Sequence, residues 1–166
     1  MGTFSYKTRI IQLLDVRELV KFGVANSDSR IFEHELTERQ MKILLVEDSK
    51  FFQRQIRHAM EESDFEVISA NDGLEGLDLL KGNADVDLIV SDVEMPNMDG
   101  LEFVRTVRAT PNWAQMPVIA LTSLSGEEHR RQGFEAGFTE YQVKLDHDLL
   151  ISACLKYGKN DSRIVA

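Results

Sequence analysis

The chain has a single cysteine in 166 residues, fewer cations than anions, and no apolar run near the roughly 18 residues that span a bilayer. Each lack excludes something. Cys154 cannot form an internal disulfide, and no metal-ligand spacing surrounds it, so it reads as a core residue. Nineteen Lys and Arg against 28 Asp and Glu give a net charge of -9, which repels nucleic-acid phosphates and anionic lipid. A protein partner is expected instead. Residues 1–7 lack a charged head followed by a long apolar stretch, so a cytoplasmic protein is expected. The four histidines, His34, His58, His129 and His147, are scattered without ligand spacing. What remains is ordinary: 43% hydrophobic and 28% charged residues describe a folded domain, neither disordered nor fibrous.

Between residues 42 and 157 strand-like apolar runs alternate with helix-period segments five times. The strand candidates are 42–46, 65–70, 88–91, 118–121 and 140–143. The first, third and fourth are continuous and rich in Val, Ile and Leu, as parallel strands covered on both faces require. Helix faces read from Phe52, Ile56, Ala59 and Met60 after Ser49 as N-cap, then Leu74, Leu77 and Leu80, then Phe103, Val104 and Val107. The fourth helix, 127–136, has a weak apolar face and should pack least firmly. Asp146 starts the fifth, with Leu150, Ala153, Cys154 and Tyr157 facing in. Asp72-Gly73 reads as a turn, and Trp113 as a cover over a sheet edge. Right-handed crossovers make this an α/β, doubly wound five-stranded parallel sheet of order 2-1-3-4-5. Residues 1–40 stand outside the repeat. They contain a strand-like stretch at 9–14, a short helix through Val20, a polar linker from Asn26 and a charged connector.

In that order the first and third strands are neighbours at the switch point, where open α/β sheets bind ligands at the carboxyl ends of their strands. Glu47 and Asp48 end the first strand and Asp92 the third. Acids after strands commonly cap helices or lie in solvent. Three together, with Thr122 and Lys144 at two further strand ends, are better suited to holding Mg²⁺ beside a carboxylate that accepts a phosphoryl group. Asp48 and Asp92 would ligate directly, Glu47 through water, with the Glu94 backbone carbonyl in range. Thr122 offers a hydroxyl and Lys144 a point charge to phosphoryl oxygens. Without metal the carboxylates repel one another, and at least one should titrate high. Pro96 can fix the intervening turn, and Gly100 lets the chain enter the next helix closely.

The motifs LLVEDS (44–49), DLIVSDVEMPNMDGLEFV (87–104), ALTS (120–123) and Lys144 resemble the response-regulator receiver family, CheY-like, over residues 41–158. The resemblance implies Asp92 as phosphoacceptor, Glu47 and Asp48 as the acidic pocket, Thr122 as the switch hydroxyl and Lys144 as the phosphate sensor. It also implies Tyr141 as the aromatic that turns inward when Thr122 moves toward phosphate. The donor would be a phosphohistidine of a histidine kinase or histidine phosphotransfer domain, in another domain or chain. The output would be a switched face of fourth helix, fifth strand and fifth helix, or a phosphate sink. TRIIQLLDVRELV (8–20) resembles the end of a CheW-like coupling domain, which makes 1–24 a remnant of one, 25–40 a linker and 159–166 a tail. That likeness, with YQVKLDHDLL (141–150), implies a hybrid CheA-type kinase polypeptide or a CheV-type adaptor, in a chemotaxis kinase and coupling-protein array. About eight residues follow Gly158, so no effector segment is expected after the receiver.

Two other classes share parts of this pattern. A phosphatase of haloacid-dehalogenase type places its nucleophile after the first strand, with a second Asp two positions on; here the candidate follows the third strand and position 94 is Glu. A flavodoxin-like binding module wants a Ser/Thr/Gly-rich phosphate loop after the first strand, where Glu47, Asp48, Ser49 and Lys50 stand. Two departures from the receiver pattern concern the rim. Leu145 replaces the proline that usually follows the lysine, so a cis bond there is not expected. Leu124, two residues after Thr122, stands with Glu94 at a position that resembles the family's tuners of hydrolysis, and cannot position an attacking water. The phosphorylated form is therefore expected to be long-lived. Leu124→Glu should accelerate phosphate loss, measured as decay of the phosphoprotein in Mg²⁺ buffer; an unchanged decay rate would contradict this.

Overall fold

The computed structural model describes residues 39–123 and 126–158. The expected coupling-domain remnant, most of the linker, Leu124, His34 and the tail lie outside the described residues. Five strands, β1 (Lys42–Val46), β2 (Glu66–Ala70), β3 (Leu88–Asp92), β4 (Val118–Thr122) and β5 (Glu140–Val143), alternate with five helices. These are α1 (Lys50–Glu62), α2 (Gly73–Gly82), α3 (Gly100–Ala109), α4 (Glu127–Ala136) and α5 (His147–Gly158). The sheet order is β2-β1-β3-β4-β5 and every pairing is parallel, as the alternation of runs predicts.

The pleat divides the core in two. Leu44 and Val46 of β1 face a cluster with Leu80, Phe103, Val104 and Val107, from α2 and α3. Ile43 and Leu45 face the other cluster, with Ile56 and Met60 of α1 and Leu150 and Cys154 of α5. Since both faces are covered, β1 and β3 are continuous apolar runs rather than alternating ones. Each fully buried large side chain here contributes roughly 1.5–3 kcal/mol. Burial pushes the Cys154 thiol up to about 12, which leaves it protonated and unreactive at neutral pH.

Several local readings are corrected. In α2 the inward residues are Gly73, Gly76 and Leu80, while Leu74 is half exposed. The physical reason is space: Met98 and Phe103 pack where side chains at Gly73 and Gly76 would stand, so the glycines take the inner face and Leu74 is turned out. Asp72-Gly73 is a helix start, with the Asp72 side chain accepting from the Glu75 amide. Ser49 takes the N-cap position of α1 in extended conformation, but its side chain makes no cap hydrogen bond. Asp146 does cap α5: its Oδ1 accepts from the Leu149 amide at 3.1 Å. Trp113 packs half-buried against the α2/α3 side of the core.

The fourth helix is the lightly packed one, with only Gly133 and Ala136 buried. It is fixed chiefly by Tyr141 of β5, whose ring is buried and meets Phe134 and Phe138 edge-on at 5.3 and 5.6 Å. The Tyr141 hydroxyl donates to the His129 carbonyl at 3.3 Å. A Cβ at position 133 would fall 1.3 Å from that hydroxyl, so only glycine admits the ring.

Gly133→Ala should therefore destabilise the protein by about 1–3 kcal/mol through overpacking, despite the gain in helix propensity of about 1 kcal/mol that alanine brings. In a Tyr141→Ala background the same change should stabilise. Urea denaturation of the four variants of this cycle checks the reversal of sign.

Candidate phosphoacceptor site

The parallel register delivers the site. Val46 pairs with Ser91, and Asp92 with Leu121, so the chain leaves β1, β3 and β4 at one sheet edge. Asp92 is the last residue of β3 and is only 4% exposed; Glu47 is fully buried, and Asp48 is exposed. One carboxylate oxygen from each of Glu47, Asp48 and Asp92 lies within 4.8 Å of the others. Gly100 makes this compactness possible: a Cβ there would fall 2.2 Å from the Asp92 carbonyl oxygen, and its amide instead donates to the Val93 carbonyl at 2.9 Å.

The two oxygens of Asp92 have different partners. Oδ1 accepts from the backbone amides of Val93 at 2.7 Å and Glu94 at 3.2 Å. Oδ2 accepts from Lys144 Nζ at 2.6 Å. Lys144, 6% exposed, also donates to Glu47 Oε1 at 3.2 Å. It lies 2.9 Å from Glu47 Oε2 as an ion pair, yet that oxygen is buried and accepts no hydrogen bond. Phe52 places its ring beneath the ammonium, 5.0 Å from centroid to Nζ. The Lys144–Leu145 peptide is trans, there being no cis bond among the described residues.

The charge balance is unequal: three carboxylates face one ammonium. Glu47 is held above the ordinary carboxylate range, first by burial and also by the charge of Asp92, with Lys144 opposing. It is thus the acid that titrates high. For Lys144, burial acts downward, but hydrogen bonds and charge from Asp92 and Glu47 outweigh it and raise the ammonium above its usual value.

The donor set fits a hard divalent cation. All its donor atoms are oxygens, a buried Glu47 oxygen that accepts no hydrogen bond belongs to it, and the exposed Asp48 opens on solvent. Asp48 also lines a cleft of about 480 Å³ with Glu94, Met95, Pro96 and His129, which gives access to the acidic edge. Thr122, half-buried, is the last residue of β4, and its carbonyl accepts from the Lys144 amide at 3.1 Å. Glu94 is exposed, with its amide on Asp92.

Two residues of the site are hidden in the sequence. Phe52 is legible there only as part of a helix face, although its ring also supports Lys144. Gln53 belongs to no motif. Its spacing with Ile56 and Met60, i, i+3 and i+7, puts it at the edge of the buried stripe, where a polar side chain needs a partner.

Comparison with known proteins follows the same lines. A family model described as response regulator receiver domain matches residues 43–154. A chemotaxis protein CheY homologue of Campylobacter jejuni is 37% identical over 105 residues, 63% of this chain and 81% of that protein. The sensor histidine kinase CheAY of Helicobacter pylori is 38% identical over 103 residues, 61% of this chain and 13% of the kinase. Among solved structures, chemotaxis protein CheY4 of Vibrio cholerae superposes with TM-score 0.68 at 32% identity, covering 72% of this chain and 99% of that one.

The raised value of Glu47 has a consequence for stability. An acid that binds its proton more tightly in the folded chain contributes stability below its ordinary value of 4.5, and loses it as pH rises through the folded value. Metal-free protein should weaken over that rise, and Glu47→Gln should flatten the decline. Thermal melts across pH in chelator check this; an equally steep decline in the variant would assign it to another group.

Proposed function

The chain belongs to the response regulator receiver family, and from that premise we propose that Asp92 accepts a phosphoryl group from a phosphohistidine of a histidine kinase or histidine phosphotransfer domain. The observation that carries this reading is the buried Asp92 carboxylate, fixed by Lys144 and two backbone amides, with Glu47 and Asp48 beside it. Asp48 and Asp92 would hold Mg²⁺ directly, with Glu47 through water and the Glu94 carbonyl in addition. When bound, the metal neutralises charge between the nucleophile and the incoming phosphate.

In the transfer an Asp92 oxygen forms a bond to phosphorus while the bond from phosphorus to the imidazole nitrogen breaks. The chain's part is positioning and electrostatics. The amides of Val93 and Glu94 hold Oδ1 and so fix the plane of the carboxylate. Lys144 already stands on Oδ2 and needs little movement to pair with a phosphoryl oxygen carried there. Thr122 offers its hydroxyl to another.

Output would pass through Thr122 and Tyr141. Lys144 and Thr122 are joined through the backbone, and the Tyr141 ring braces α4, a helix whose buried residues are only Gly133 and Ala136. A shift of Thr122 toward phosphate would act on that bracing and re-present α4, β5 and α5 to a partner. The ring lies inward in the structure, so phosphorylation would act by biasing an orientation already available. The likeness to chemotaxis proteins supports a chemotaxis-type setting, as a switch or as a phosphate sink for a kinase.

Incubation with acetyl phosphate and Mg²⁺ should add one phosphoryl group, seen by intact mass and mapped to Asp92 after borohydride reduction. Asp92→Asn should abolish it. Modification at another carboxylate, or undiminished labelling of the variant, would overturn the reading.

A further inference from the structure

From the geometry around the first loop we infer that Gln53 is a positioning residue for the metal-binding acids, acting through the backbone between Glu47 and Asp48. This rests on the proposed phosphoacceptor function and names a determinant of its metal affinity. The Gln53 side-chain Nε2 donates to the Glu47 carbonyl at 3.0 Å and to the Ala70 carbonyl at 3.0 Å. Its Oε1 accepts from Lys50 Nζ at 3.2 Å, and Lys50 also bonds Asn71. One amide thus ties the first turn of α1, the β1–α1 loop and the carboxyl end of β2 together.

The Glu47 carbonyl belongs to the peptide whose nitrogen is that of Asp48. Holding its oxygen fixes the plane of that peptide and the direction in which the Asp48 side chain leaves. The rest of the acidic loop is pinned on its other side: the Ser49 amide donates to Glu47 Oε1 at 3.1 Å, and Glu47 pairs with Lys144. Asp48, exposed at the mouth of the cleft, therefore depends on its own backbone for orientation. The Ala70 carbonyl accepts both from Gln53 and from the Glu47 amide at 3.1 Å, so loss of Gln53 leaves the sheet contact in place. The effect falls on the Glu47–Asp48 peptide rather than on the fold. Partners that orient ligands in this way commonly govern metal affinity by roughly 10- to 100-fold.

The test is calorimetric titration of the full chain with Mg²⁺, for wild type, Gln53→Met, Gln53→Glu and Asp48→Asn, beside metal-free thermal melts. Gln53→Met keeps the length and removes both donors. It should weaken Mg²⁺ binding about tenfold, at the low end of that range, with a metal-free melting temperature close to wild type. Gln53→Glu, which sets a carboxylate against two carbonyl oxygens, should weaken it at least as much near neutral pH. Unchanged Mg²⁺ affinity in Gln53→Met, alongside a wild type that binds and an Asp48→Asn that does not, would overturn the inference and leave the phosphoacceptor reading intact. A melting temperature that falls in proportion to the affinity would overturn it too, by making Gln53 a fold determinant. Failure of wild type itself to bind Mg²⁺ would remove the phosphoacceptor reading and this inference together.

Discussion

Lys144 bridges Asp92 and Glu47, and the rest of the site is arranged around that bridge. A buried ammonium between two carboxylates recovers by pairing much of what burial costs it. It does not neutralise the third acid, Asp48, and it leaves one oxygen of Glu47 without a hydrogen bond. The edge is thus stable enough to exist in the folded chain while remaining short of positive charge. The proposed function, which attracts a divalent cation and then a phosphoryl group, would need this incomplete balance. The parallel sheet supplies the means, because β1, β3 and β5 all release their chains toward the same edge. No single strand could place two acids and a lysine so close.

Much of this is legible in the sequence, for a physical reason. Doubly covered parallel strands have no solvated face, so β1, β3 and β4 stand out as short runs of Val, Ile and Leu. Their last residues then mark the ligand edge without knowledge of any contact. The strand order and the grouping of Glu47, Asp48, Asp92 and Lys144 follow from that rule. What cannot be read depends on close approach. The first turn of α2 turns inward its glycines, which carry no hydrophobic signal, so periodicity alone assigns Leu74 to the core along with Leu77 and Leu80, which do pack there. The slot in α4 for Tyr141 is likewise an absence, legible only once the ring is seen in it. Gln53 is silent because its partners are backbone carbonyls, which have no signature in sequence.

The rim around the acids is where this chain departs from its family's pattern. Leu145 follows the lysine through a trans peptide and is 73% exposed, yet Lys144 still reaches both carboxylates. The lysine's position is therefore set by the sheet and by Phe52, not by a proline turn. The weak packing of α4 has the opposite character. With little apolar surface of its own, it leans on the Tyr141 ring and on the Arg108 bond to the Gly137 carbonyl for its seat. In the proposed function, rigid geometry at the acids and loose packing at α4 are complementary: the first would capture the phosphoryl group, and the second would report it.

The central claim is that a metal and a tetrahedral phosphoryl group complete the charge of the Asp92 edge together. Fluorine NMR of the protein with beryllofluoride, a phosphoryl mimic, tests this most directly. Bound fluoride resonances should appear with Mg²⁺ present, vanish when it is chelated, and be missing in Asp92→Asn. Bound resonances that persist without Mg²⁺, or in the Asn variant, would contradict the account.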